Sequence, residues 1–149
     1  QIPRAWRRTI SMEIAMSGFS DYLENSLVSA TLRGGTYVGG AVYVALFKTD
    51  PTDAATGAEV TDPSYQRQRA HASVVSDGFT APANGLTSNA RTLTFPAITA
   101  AQITITHWGI FDAQTGGNLL FHAPLQVNKT LDPSDVLSFP VGSLTVTLQ

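Results

Sequence analysis

Cysteine is absent from all 149 residues, which removes disulfides, thiolate nucleophiles and cysteine-based zinc sites together. Stability must therefore come from non-covalent packing, within the chain or between subunits. Charge is scarce as well: only 13% of residues are Asp, Glu, Lys or Arg, against roughly 25% in an ordinary soluble domain. A surface this sparsely charged implies that partners cover part of it. No apolar run is long enough to span a bilayer, and the N-terminal stretch lacks the apolar core of a secretory signal. No phosphate-binding loop is present either, since Gly34-Gly35 closes a helical pattern instead of opening one. Without repeats or low-complexity tracts, the length points to a single core, with about 70% of the unfolded chain's surface buried.

The charge that is present is unevenly placed. Arg4, Arg7 and Arg8 fall in the first eight residues, while further on Asp21, Glu24, Asp50, Asp53, Glu59, Asp62, Asp77, Asp112, Asp132 and Asp135 outnumber the bases. The chain thus divides into an extended basic and aromatic arm, residues 1–16, and one acidic domain, residues 17–149. Three arginines are too few for a nucleic-acid or membrane segment, and neither partner is expected. The arm is expected to dock on its own domain or on a neighbouring subunit. Ile2, Trp6 and Ile10 would supply the apolar contacts, and Arg4, Arg7 and Arg8 would pair with acidic surface.

After the arm comes one helix. Ser20 or Asp21 can cap it, Asp21 and Glu24 suit its positive end, and Phe19, Leu23, Leu27 and Ala30 fall at helical spacing before Arg33-Gly34-Gly35 ends it. Beyond Gly40 the period changes. Residues 41–47 read as a strand buried on both faces, closed by Asp50-Pro51-Thr52-Asp53. Residues 65–75 alternate weakly and read as an edge or interface strand, with Arg67 and Arg69 as contact residues. Short apolar runs follow at residues 93–95, 97–111, 136–139 and 144–148, each bounded by Gly, Pro, Asn or Asp. Seven or eight short strands behind one helix are the pattern of an antiparallel, jelly-roll-like β-sandwich.

Little of this suggests catalysis. His71, His107 and His122 lack the close spacing of a zinc site, and Ser20 lacks the glycine frame of a nucleophile elbow. The acids of residues 50–63 do not follow the repeating pattern of a calcium loop. No catalytic residue, metal or cofactor is expected. Trp108, Phe111, Phe121 and Phe139 read as core, with a carbohydrate-stacking platform as the alternative, and Trp6 and Tyr37 are better placed for surface contacts.

The strongest block is Trp108-Gly109-Ile110-Phe111-Asp112, a turn at residues 114–118, then Leu119-Leu120-Phe121, which together spell a β-hairpin. Three earlier blocks precede it: Ser20-Asp21-Tyr22-Leu23-Glu24-Asn25, then Val42-Tyr43-Val44-Ala45-Leu46-Phe47, then Asp50-Pro51-Thr52-Asp53 with Gly57-Ala58-Glu59-Val60 and Tyr65-x-Arg67. In that order they resemble a family of small tailed-bacteriophage virion proteins, commonly labelled phage tail fiber proteins. The resemblance covers residues 16–149 and leaves out the arm. It implies a small non-enzymatic component of a tailed-phage virion, and the family's usual label points to the tail. An oligomeric subunit that docks on other virion proteins is expected, and a cyclic trimer is the favoured assembly. Two locations follow, the tail or the outer capsid surface, where it would act as a decoration (cement) protein on the major capsid protein. A carbohydrate-binding module, taking a host surface glycan, is the remaining alternative.

Overall fold

The structure, a computed structural model, describes residues 18–148. The expectations for Ile2, Arg4, Trp6, Arg7, Arg8 and Ile10 lie outside the described residues.

Among the described residues the chain is mainly β, with one α-helix. Strand β1 (Gly18–Phe19) leads into α1 (Asp21–Leu32), which begins where the capping pattern predicts. The Ser20 hydroxyl accepts from the Leu23 amide at 3.2 Å and donates to the carbonyl of Leu119, so one buried side chain starts the helix and ties it to the sheet. At the other end the Arg33 and Gly35 amides both donate to the Ser29 carbonyl, around Gly34 at a φ of 68°.

Five antiparallel strands make the main sheet, in the order β1, β7 (Leu119–Leu131), β6 (Ile103–Phe111), β2 (Tyr43–Phe47) and β3 (Gln68–Arg69). Two ribbons accompany it: β4 (Leu86–Ser88) pairs with β9 (Thr145–Thr147), and β5 (Leu93–Thr94) with β8 (Ser138–Phe139). The principal core joins Val44, Leu46, Trp108 and Ile110 of the sheet to Leu93, Phe139 and Val146 of the ribbons and to Leu144 just before β9, with Leu23 from the helix. A second cluster, Ala45, Phe47, Phe111 and Leu119, occupies the opposite face of the sheet. Strand β2 is therefore buried on both faces, as its unbroken apolar run predicts. Burying each large side chain contributes about 1.5–3 kcal/mol, so β2 anchors both clusters. Gly109 has a packing reason: a Cβ there would stand 2.9 Å from Leu119 Cδ1 and from Phe47 Cε2.

Asn89, wholly buried, joins the two ribbons. Its Nδ2 donates to the carbonyls of Arg91 and Pro140, both at 2.9 Å, and its Oδ1 accepts from the Leu144 amide at 2.9 Å. The connections β4–β5 and β8–β9 are thus held at one point by a side chain whose polar atoms are satisfied.

Two elements differ from the sequence-based expectation. The return strand of the hairpin runs to 13 residues, well beyond Phe121, with an irregularity opposite residues 105–107 that leaves residues 125–128 without β6 partners. The strand expected at residues 65–75 shortens to Gln68–Arg69. Asp77 is the reason. Its carboxylate accepts from the amides of Ala72, Ser73 and Val74 at 2.8, 3.2 and 3.3 Å, which winds the chain into a 3₁₀ turn at Val75–Asp77.

Candidate functional site

The hairpin turn and the segment beside it hold a dense cluster of polar side chains. Asp112 closes the turn, accepting from the Asn118 amide at 2.6 Å and from Asn118 Nδ2 at 2.9 Å, while Gly116 and Gly117 take φ values of 61° and 71°. Arg67 grips the turn from outside it. Its Nη1 donates to the carbonyls of Ala113 at 2.9 Å and Gly116 at 2.7 Å, and Nε and Nη2 form a two-pronged pair with Glu59 at 2.8 and 2.9 Å. The guanidinium lies 3.5 Å from the centre of the Phe111 ring, which itself stacks on Phe47. Tyr65 completes the group, donating to Glu59 Oε1 at 2.8 Å and accepting from the Leu46 amide at 3.0 Å. Burial raises the Tyr65 phenol far above its ordinary range, and the Glu59 carboxylate adds to the shift, so the group keeps its proton.

The acids of residues 50–63 are used in the same manner. Asp62 accepts from the Ser64 hydroxyl at 2.7 Å, the Ala100 amide at 2.8 Å, and both the amide and hydroxyl of Thr99. The Ser64 hydroxyl is the largest of the influences that hold its carboxyl far below the usual carboxylate range. Glu59 and Asp62 are thus occupied within the fold.

His122 lies between two carboxylates, with Nε2 2.9 Å from Asp53 Oδ1 and Nδ1 3.7 Å from Asp50 Oδ1. His107 stands 3.9 Å from Asp50 through Nε2, and its Nδ1 is 2.8 Å from the Thr106 hydroxyl. These contacts, with the Asp21 amide donating to the Asp53 carbonyl at 2.9 Å, fasten the loop and the start of α1 to the sheet. No three His, Asp or Glu among the described residues are arranged to hold a metal ion. His71 is buried, and its Nδ1 has no hydrogen-bond partner among the described residues.

Of the predicted contact residues that are described, Arg67 points inward at 8% exposure, with its bonds spent on the fold, whereas Arg69 is exposed on the edge strand. Trp108, Phe111 and Phe139 are buried, and Phe121 packs half-buried against Phe19 at 5.3 Å between ring centres. They form core. Tyr37 is half-buried against the same core. Sequence reading missed Glu59, Asp62 and Asn89; Asp62-x-Ser64 is the one legible signal among them, since Asp followed two residues on by a donor spells an Asx turn.

Residues 18–147 match the model of a protein family described as Podophage GP4 fiber I protein gp80. No curated protein matches the chain.

Proposed function

The chain belongs to the podophage GP4 fiber I protein family, and we propose that it is a small, non-enzymatic subunit of the fibre apparatus of a tailed-phage virion. The observation that carries this reading is the use of its polar groups. The Ser20 hydroxyl, the Glu59 and Asp62 carboxylates, the Arg67 guanidinium and His122 are all committed to contacts within the domain, so the side chains most suited to chemistry serve to stiffen it. A rigid sandwich with a fastened hairpin suits a protein that transmits load and position. Its partners are other virion proteins and further copies of itself, a trimer being the favoured assembly.

Self-association is supported by the outward side of α1, where Val28 and Leu32 sit one turn apart at 54% and 80% exposure. The arm is the second contact element. The described chain starts at Gly18, paired with His122 and close to Asp53. Asp50 and Asp53 keep 57% of their side-chain surface open there, and Arg4, Arg7 and Arg8 complement that charge, with Ile2, Trp6 and Ile10 packing on the subunit that receives them. Arg67 acts indirectly, by shaping the turn, and Arg69 directly.

The test is a phage from which this protein has been deleted. A fibre subunit leaves DNA-filled heads intact and abolishes adsorption to the host. Heads that rupture while intact particles adsorb normally would move the protein to the capsid surface as cement.

A further inference from the structure

We propose that the apolar pocket between the main sheet and the β4–β9 ribbon receives Trp6 from the arm of a neighbouring copy of this chain. The inference rests on the docking role given above for the arm and supplies the place where it docks. Val42, Ile110 and Phe121 line the pocket from the sheet, and Phe79, Val146 and Leu148 from the ribbon and the chain flanking it. Its volume is about 210 Å³, below the roughly 300–1,000 Å³ of small-molecule sites, and suits one large side chain. Small-molecule sites also carry a few polar groups that orient the ligand. Here Thr87 is the one lining residue with a polar side chain, and its hydroxyl already donates to the Thr80 carbonyl at 2.7 Å. Gly85, at a φ of 74°, presents no side chain to the space, and an added Cβ would collide with the Leu148 carbonyl oxygen. Carbon walls of this kind gain by leaving water. They fit an aromatic body whose single N–H stays at the mouth, as that of tryptophan does.

The arm carries that side chain. Trp6 is its largest apolar residue, and tryptophan set among arginines is the composition of an interface anchor. It lies twelve residues before Gly18, a span of about 40 Å when extended. The pocket of its own subunit is much nearer, since Phe121, one of the walls, packs on Phe19 at 5.3 Å between ring centres. About four residues would bridge that gap. A domain of this size has a radius of gyration of about 14 Å, so the extended arm carries Trp6 clear of its own subunit and onto the next. Charge agrees with this placement. His122 follows Phe121 and holds Asp53, so the open carboxylates of Asp50 and Asp53 stand around the sheet edge from the pocket, where Arg7 and Arg8 can meet them once Trp6 is seated. Each copy then gives one tryptophan and receives one, a head-to-tail exchange that closes into a ring.

The experiment is an NOE measurement on an equal mixture of two preparations of the full chain, one with isotope-labelled, protonated Ile, Leu and Val methyls and the other with protonated tryptophan, both otherwise deuterated. NOEs from the Trp6 indole to the methyls of Val42, Ile110, Val146 and Leu148 are expected, and in this mixture they arise only between subunits. Trp6→Ala should weaken self-association about thirtyfold, the loss of one interface anchor. Leu148→Arg, on the exposed rim of the pocket, should weaken it comparably while the amide spectrum stays that of the folded domain. Absence of these NOEs, their appearance only when both labels are on one chain, or unchanged association in Trp6→Ala would each overturn the proposal. If they fail while the deletion phage still loses adsorption, the pocket is wrong and the fibre role stands.

Discussion

Replacing Arg67 by methionine tests whether a buried cation holds the hairpin turn. Methionine keeps the apolar stem over Phe111 and removes the guanidinium, so the loss isolates the polar contacts. Four hydrogen bonds go with it, two to Glu59 and one each to the Ala113 and Gly116 carbonyls. Removing one member of a buried pair costs about 3–5 kcal/mol, chiefly because the other charge is left uncompensated. Glu59 keeps 25% of its side chain exposed and retains the Tyr65 hydroxyl as a donor, which places the cost at the lower end, about 3 kcal/mol. For a domain of this length that is about 10 °C in Tm. Urea denaturation gives the free energy, and amide exchange at residues 113–118 should quicken as the turn loses its grip. In the double-mutant cycle with E59Q, the pair should show a coupling of about 2 kcal/mol. A cost under about 1 kcal/mol, with additive single mutants, would mean that the pair behaves as an ordinary surface contact.

The Asn89→Ala variant should lose about 2–4 kcal/mol, since a buried backbone amide and two carbonyls lose their partner; urea melts check it, and a loss below about 1 kcal/mol would show that the ribbons do not depend on this side chain. Asp62, whose folded carboxyl lies below its unfolded value, contributes stability that is present above about pH 4 and is lost as pH falls through the folded value. Carboxyl-carbon NMR should find it the last acid to take a proton, with a shallower acid limb in Asp62→Asn, and titration in the ordinary range would refute the account of its hydrogen bonds.

What the sequence made legible was local. The Ser20 cap, the unbroken apolar run of β2 and the glycine turn at residues 116–117 each follow from one residue's chemistry or from a short period, and each appears as expected. Side chains that bond across long sequence distances were not legible. Arg67 looked like an exposed edge residue because its neighbours alternate, yet beyond Glu59 it bonds to carbonyls 46 and 49 residues away, in a turn only the fold brings near. Asn89 and Leu144 likewise meet across 55 residues. The shortening of the 65–75 strand depended on a competing acceptor, Asp77, whose side chain outbids the ladder for three amides. Of the contact residues expected on that strand, Arg69 stays exposed, its guanidinium bonded to the nearby His71 and Ala72 carbonyls, while Arg67 is drawn in by Glu59.

The central claim, a structural subunit of the fibre apparatus, is tested most directly by counting and placing the protein in purified virions. Quantitative mass spectrometry against the major capsid protein, with the position read from a cryo-EM map, should give a small multiple of three at the tail, with the sandwich and its Trp108 hairpin fitting the density. Hundreds of copies spread over the shell, or none in the particle at all, would contradict it.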